Sequence, residues 1–243
     1  MWVDRRGREE ALALEPGSYS DPSIASDGQR VALGRDGDIW TWDLARETLT
    51  PLSIHPSIDW NPVWVPQGHE IVFSSSREGS LSDLFIKAVG GTAAAHRLIS
   101  GDPIKREHSS VSPDGGRLVL EAEGSSGSSD LWRLSMSPES SAEPLLVSEF
   151  DERSGVVSPD GRWLAYVSDR SGEGQVFVCP FPPGEGGVHQ LISPGAGENP
   201  RWAPDGRKIF YLAGGVPPTM MAVAVPFQTG PDFQAGTAEP LFE

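Results

Sequence analysis

The chain has 243 residues, enough to bury a sizeable core as one domain. With 34 acidic against 19 basic residues the formal charge is −15, a field that repels phosphate backbones and so argues against nucleic acid while favouring cations or basic protein surfaces. The start MWVDRRGREE lacks an apolar h-region and no window reaches about 18 uninterrupted apolar residues, so the sequence predicts neither a cleaved leader nor membrane insertion. As written the chain reads as cytoplasmic, or as extracytoplasmic if it was cut from a longer anchored or exported protein.

Residues 1–15 offer MWVD and EEALAL, which read as the third and fourth strands of a partial unit whose two inner strands are absent. Residues 16–56 then hold a turn, ASDG from Ala25, followed by RVALG, DIWTW and TLTPL. Residues 57–101 repeat the order with NPVWV, VPQG, EIVFS, DLFIK and AHRLI, and residues 102–149 with SPDG, RLVLE, DLWRL and EPLLV. Residues 150–194 follow with SPDG, RWLAYV, QVFVC and VHQLI, and residues 195–243 with NPRWA, APDG, KIFYL, MMAVAV and AEPLF. The third turn residues, Asp27, Gln67, Asp114, Asp160 and Asp205, are spaced by 40, 47, 46 and 45. That period belongs to propeller blades or helical solenoids, and the short β-branched and aromatic runs bounded by Gly, Ser and Asp select strands. The expected fold is all-β: a β-propeller of four-stranded antiparallel blades in a single domain, with five full blades and a partial sixth. The alternatives are five-bladed closure with an extra N-terminal hairpin, or a homodimer in which a second copy fills the incomplete blade.

Proline presets φ at the second position of a tight turn, aspartate bonds its own nearby backbone, and glycine accepts positive φ. The recurring Pro-Asp-Gly is therefore a bend between strands one and two. Ser112 and Ser158, which open the two SPDG copies, are not nucleophiles on this reading, and the chain has no G-x-S-x-G elbow. Cys179 stands alone in QVFVC, which precludes an intramolecular disulfide and suggests a packed strand residue.

A strand pair hinged on SPDG, preceded by Asn-Pro-x-Trp and followed by YVSDRSG and QVFV, resembles the TolB-like propeller repeat, also called the WD40-like or PD40 repeat. That family includes periplasmic TolB, the propellers of prolyl-oligopeptidase-type enzymes, and propellers carried behind some bacterial serine/threonine kinases, to which the first fifty residues are most similar. The resemblance implies a six-bladed tendency and a binding or regulatory role. The chain has no glycine-rich loop, His-Arg-Asp or Asp-Phe-Gly for phosphoryl transfer.

In a propeller the first strand of each blade lines the central channel, so equivalent positions form rings. Counting back from each turn gives Asp21, Asn61, His108, Ser154 and Asn199, then Ser23, Val63, Ser110, Val156 and Arg201 two residues later, with Asp59, Glu107, Glu152 and Glu198 just before. The expected ligand-binding set is Asp21, Asn61, His108, Ser154, Asn199 and Arg201. A divalent cation, if one binds, has Asp21, Glu107, His108 and Glu198 as candidate ligands, and no other cofactor is expected. The competing reading is that these side chains only solvate a channel and tie loop backbones. The turn DRSGEGQ begins like a calcium loop, but its twelfth position is Pro180, so it reads as a connection. His55, His69, His96 and His189 read as surface or edge residues.

Three functions remain: a non-catalytic scaffold binding a protein, peptide or small ligand at its channel mouth; a metal-assisted lyase or hydrolase acting on a sugar or lactone; or a fragment derived from a larger signalling protein.

Overall fold

The structure, a computed structural model, describes residues 2–4, 7–66, 68–77, 83–99, 106–123, 127–136, 141–184, 187–226 and 233–242, with the backbone alone for 106–109. Regular structure among them is entirely strand, and no helix is long and apolar enough to cross a membrane. Blade one comprises Tyr19–Ile24, Arg30–Arg35, Asp38–Asp43 and Thr48–Pro51; blade two, Asp59–Trp64, Glu70–Ser75, Asp83–Ala88 and His96–Arg97. Blade three comprises Arg106–Val111, Arg117–Glu123, Ser129–Ser135 and Ala142–Leu146. Blade four comprises Glu152–Val157, Trp163–Ser168, Gln175–Pro180 and Gln190–Leu191; blade five, Gly197–Trp202, Lys208–Ala213, Thr219–Ala224 and Ala238–Phe242. Within each sheet the strands lie in chain order. The protein is thus an all-β propeller of five four-stranded blades, and the extra N-terminal element is a two-stranded sheet in which Trp2 pairs with Glu10 and Val3 with Glu9. The stretch EEALAL contributes only its first two residues to that ladder.

The bends carry the chemistry expected of them. Gly28, Gly68, Gly115, Gly161 and Gly206 all have φ between 66° and 72°, which an L side chain resists. One residue earlier, the carboxylates of Asp27, Asp114, Asp160 and Asp205 each accept a bond from the backbone N–H two residues on, at 2.8, 2.9, 3.1 and 2.9 Å. Ser112 and Ser158 donate to the carboxylates of Asp114 and Asp160 at 2.5 and 2.6 Å and accept the N–H of Arg117 and Trp163. The Ser112 hydroxyl, followed by the Gly116 N–H, holds the Asp114 carboxyl below the usual carboxylate range. Both hydroxyls are absorbed by the turn.

The chain divides into two compact units: Ala13–Glu123 with Arg133–Glu143, termed the N-terminal unit, and Pro144–Glu243 with Met1–Leu12 and Gly124–Trp132, the C-terminal unit. The N-terminal unit buries Ala32, Ile39, Trp64, Ile71, Phe73 and Phe85 in one cluster between blades one and two. In the C-terminal unit Trp163, Ala165, Val178, Ile209, Tyr211 and Val223 form the corresponding core of blades four and five. Cys179, on the Gln175–Pro180 strand, is fully buried, and burial pushes its thiol up to about 12, so it is an inert packing group.

Candidate functional site

The inner strands are not regular. In blade one the ladder passes from Ser20, opposite Gly34, to Ser23, opposite Ala32, so Asp21 and Pro22 together face Leu33. Blade two repeats this bulge with Asn61 and Pro62 facing Phe73, blade four with Ser154 and Gly155 facing Tyr166, and blade five with Asn199 and Pro200 facing Tyr211. The first bulge residue is left-handed each time: φ is 50° at Asp21, 51° at Asn61, 55° at Ser154 and 52° at Asn199. Short polar side chains tolerate this region, and Asp and Asn are enriched there, whereas β-branched residues are strained. Proline second costs nothing, because the broken ladder needs no N–H from it. Backbone geometry therefore supplies a reason for polar residues at this position that is independent of any ligand.

Blade three breaks its ladder at the same place: Glu107 faces Glu121 and Ser110 faces Val119, so His108 and Ser109 together oppose Leu120, with His108 in the register of Asn61. The side chains of Glu107 and His108 lie outside the described residues.

The acidic residues preceding the bulges are bound by arginines. In the N-terminal unit Asp59 is buried, and Arg77 donates to both its oxygens at 3.0 and 2.7 Å. In the C-terminal unit Glu152 is 1% exposed; its Oε1 accepts from Ser148 at 2.9 Å, Arg170 at 3.1 Å and Ser168 at 3.3 Å, while Oε2 has no partner among the described residues. Burial raises the Glu152 pKa against these bonds. Glu198 is paired with Arg153 of the neighbouring blade at 2.5 Å. Gly174 passes so close to this pair that a Cβ would stand 2.6 Å from the guanidinium, which explains a glycine in the turn DRSGEGQ. Among the described residues no cluster of three or more His, Cys, Asp or Glu side chains converges as a metal site. Arg201 bonds the carbonyl of Pro200 and is exposed.

Two arginines that the sequence reading passed over organise these sites. Arg77 and Arg170 each follow a serine by two residues, Ser75 and Ser168, whose hydroxyls accept the Nε–H at 2.8 and 3.1 Å. Each guanidinium also lies over an aromatic pair, Phe73 and Phe85 in blade two, Tyr166 and Phe177 in blade four. The repeated Ser-x-Arg after strand two was the available signal. In blade four the set extends further: Arg170 donates to the Tyr166 hydroxyl at 2.8 Å, and that oxygen lies 2.7 Å from Nδ1 of His189. His189, expected at the surface or an edge, precedes the outer strand Gln190–Leu191, half-buried and bonded, and burial, reinforced by Arg170, lowers its pKa.

The tryptophans of the inner strands join neighbouring blades within each unit. The indole N–H of Trp64 donates to the carbonyl of Ser23, and that of Trp202 to the carbonyl of Val156, both at 3.0 Å.

No protein-family model matches the chain. Over 207 residues, 81% of its length, it is 25% identical to the uncharacterized peptidase YuxL of Bacillus subtilis, of which it covers 29%. Over 99 residues, 39% of its length, it is 26% identical to the Tol-Pal system protein TolB of Helicobacter pylori, of which it covers 24%. The chain spans under a third of the length of either relative. Among solved structures, that of a putative TolB from Agrobacterium tumefaciens superposes with a TM-score of 0.78 at 18% identity, covering 94% of this chain and 82% of that one. The fold is TolB-like.

Proposed function

We propose that this TolB-like propeller is a non-catalytic binding module that recognises a basic protein or peptide surface, with the polar ends of its inner strands and its loops as the recognition elements. The observation that carries the reading is that, among the described residues, the turn serines and the acids preceding the bulges are engaged by the fold. The turn serines bond their own turns, and Asp59, Glu152 and Glu198 each hold an arginine. Asp21, Asn61, Ser154 and Asn199 sit at left-handed bulge positions of their inner strands, with Arg201 on the same strand as Asn199. The formal charge of −15 supplies the preference for a basic partner. Relatives named for a Tol-Pal system support a place in a protein assembly.

We also propose that a second copy pairs through the two-stranded N-terminal sheet, because two short strands leave ladder edges of the kind that accept another strand. One titration tests both ideas. A lysine- and arginine-rich peptide should bind in calorimetry, with affinity falling steeply as salt rises, and light scattering on the same samples should give twice the 26.1 kDa chain mass. Turnover of peptides, lactones or oligosaccharides by the wild type, lost in His108→Ala, would overturn the binding reading. A monodisperse monomer would remove the pairing.

A further inference from the structure

Independently of that role, the crevice between blades one and two has a composition that packing does not explain. In blade one Arg30 pairs with Asp43 and Ala32 with Thr41, and on the outer strand Thr48 pairs with Asp43 and Thr50 with Thr41. Partners directly across a ladder share a face. That face therefore carries Arg30, Asp43 and three threonines, and Lys87, paired with Ile71 in blade two, borders the same space.

At the equivalent junction of blades four and five the same ladder positions are apolar. There Trp163 and Ala165 pair with Pro180 and Val178, and Val223 pairs with Ile209. Trp163, Val178 and Val223 are buried core. Arg30, Thr41 and Lys87 thus stand where the same repeat, elsewhere in this chain, has Trp, Val and Val. The crevice between blades one and two measures about 390 Å³, within the usual range of about 300–1,000 Å³ for small-molecule sites, and Arg46 is part of its lining.

The cations are not all spoken for. Arg30 is tied to Asp27 at 2.9 Å and to the Gly68 carbonyl at 2.8 Å, and lies 4.8 Å from the Trp64 ring centroid. Arg46 pairs with Asp43 at 2.9 Å. Lys87 is half-buried and carries no ion pair among the described residues, which is costly for an ammonium that solvent only partly reaches. Gly90, with φ at 75°, and Gly91 border the opening without side chains to fill it.

We propose that this crevice binds a small oxyanion-bearing ligand, a phosphate or carboxylate compound, with Lys87 as the charge partner and the hydroxyls of Thr48 and Thr50 as donors. Lys87 is a local charge in a protein whose overall charge opposes anion binding, so the site acts at contact range and its affinity falls with salt.

Calorimetry and thermal unfolding with inorganic phosphate and with citrate, against chloride at matched ionic strength, test the proposal. Phosphate or citrate should bind and raise the unfolding temperature, and which of them does so identifies the phosphate or carboxylate class. Lys87→Met should reduce the affinity about tenfold or more, while Arg207→Met, at the blade four–five crevice, should leave it unchanged. Ligand-free Lys87→Met should unfold at the same or a higher temperature, because it restores the apolar contact made by Val223. Absence of binding by both probes, affinity undiminished in Lys87→Met, or a Lys87→Met protein destabilised without ligand would each overturn it.

Discussion

His189 shows how a residue that is unremarkable in sequence acquires a defined titration in the fold. The Tyr166 hydroxyl accepts from Arg170, so its own proton goes to Nδ1 of a neutral His189. Protonation of the ring removes that acceptor and places a cation near Arg170. The folded-state pKa lies below the ordinary histidine value, so the stabilising contribution is present above about pH 6.5 and is lost as pH falls through the folded pKa. Urea unfolding across that range should show declining stability toward acid in the wild type and a flatter profile in His189→Gln. Equal slopes would contradict the assignment. Glu152 has the opposite sign: burial raises its folded-state pKa, so it favours the folded state at low pH and loses that contribution as pH rises through the folded value.

At the scale of the strand, the inner-strand tryptophans make a sharper prediction than hydrophobicity alone. Trp202→Phe keeps an aromatic ring but removes the donor to Val156, and Trp64→Phe removes the donor to Ser23. Each should cost about 1 kcal/mol or more in chemical unfolding, since a part-buried carbonyl loses its partner; no loss in either would show the indole bonds to be incidental. These tryptophans and the bends were legible in the sequence because proline, aspartate and glycine have few other reasons to recur at fixed intervals before apolar runs. The bulges were not. Asp21, Asn61, Ser154 and Asn199 present the same residue types whether the demand is a left-handed backbone or a ligand, and only φ distinguishes the two. His108 entered the same row by counting, and the third blade breaks its ladder in that same register. The pairing of Glu152 with Arg170 and of Glu198 with Arg153 depends on tertiary contacts that spacing does not encode.

For the whole molecule, one repeat is used five times and specialised by substitution at a few ladder positions. The same junction is apolar around Trp163 and Val223, whereas Arg30, Asp43 and Lys87 line it between blades one and two. The TolB-like scaffold is held by turns, bulges and inter-blade indoles. The central claim is that the polar inner-strand residues are there because the backbone bends, with recognition secondary to that demand. Replacing Asp21 and Asn199 by glycine and, separately, by valine measures it most directly, by urea unfolding of the four single variants. The account predicts glycine variants within about 1 kcal/mol of wild type, because relief of positive φ offsets glycine's entropy cost, and valine variants destabilised by about 1–3 kcal/mol. Glycine variants that lose as much stability as the valine variants would contradict it.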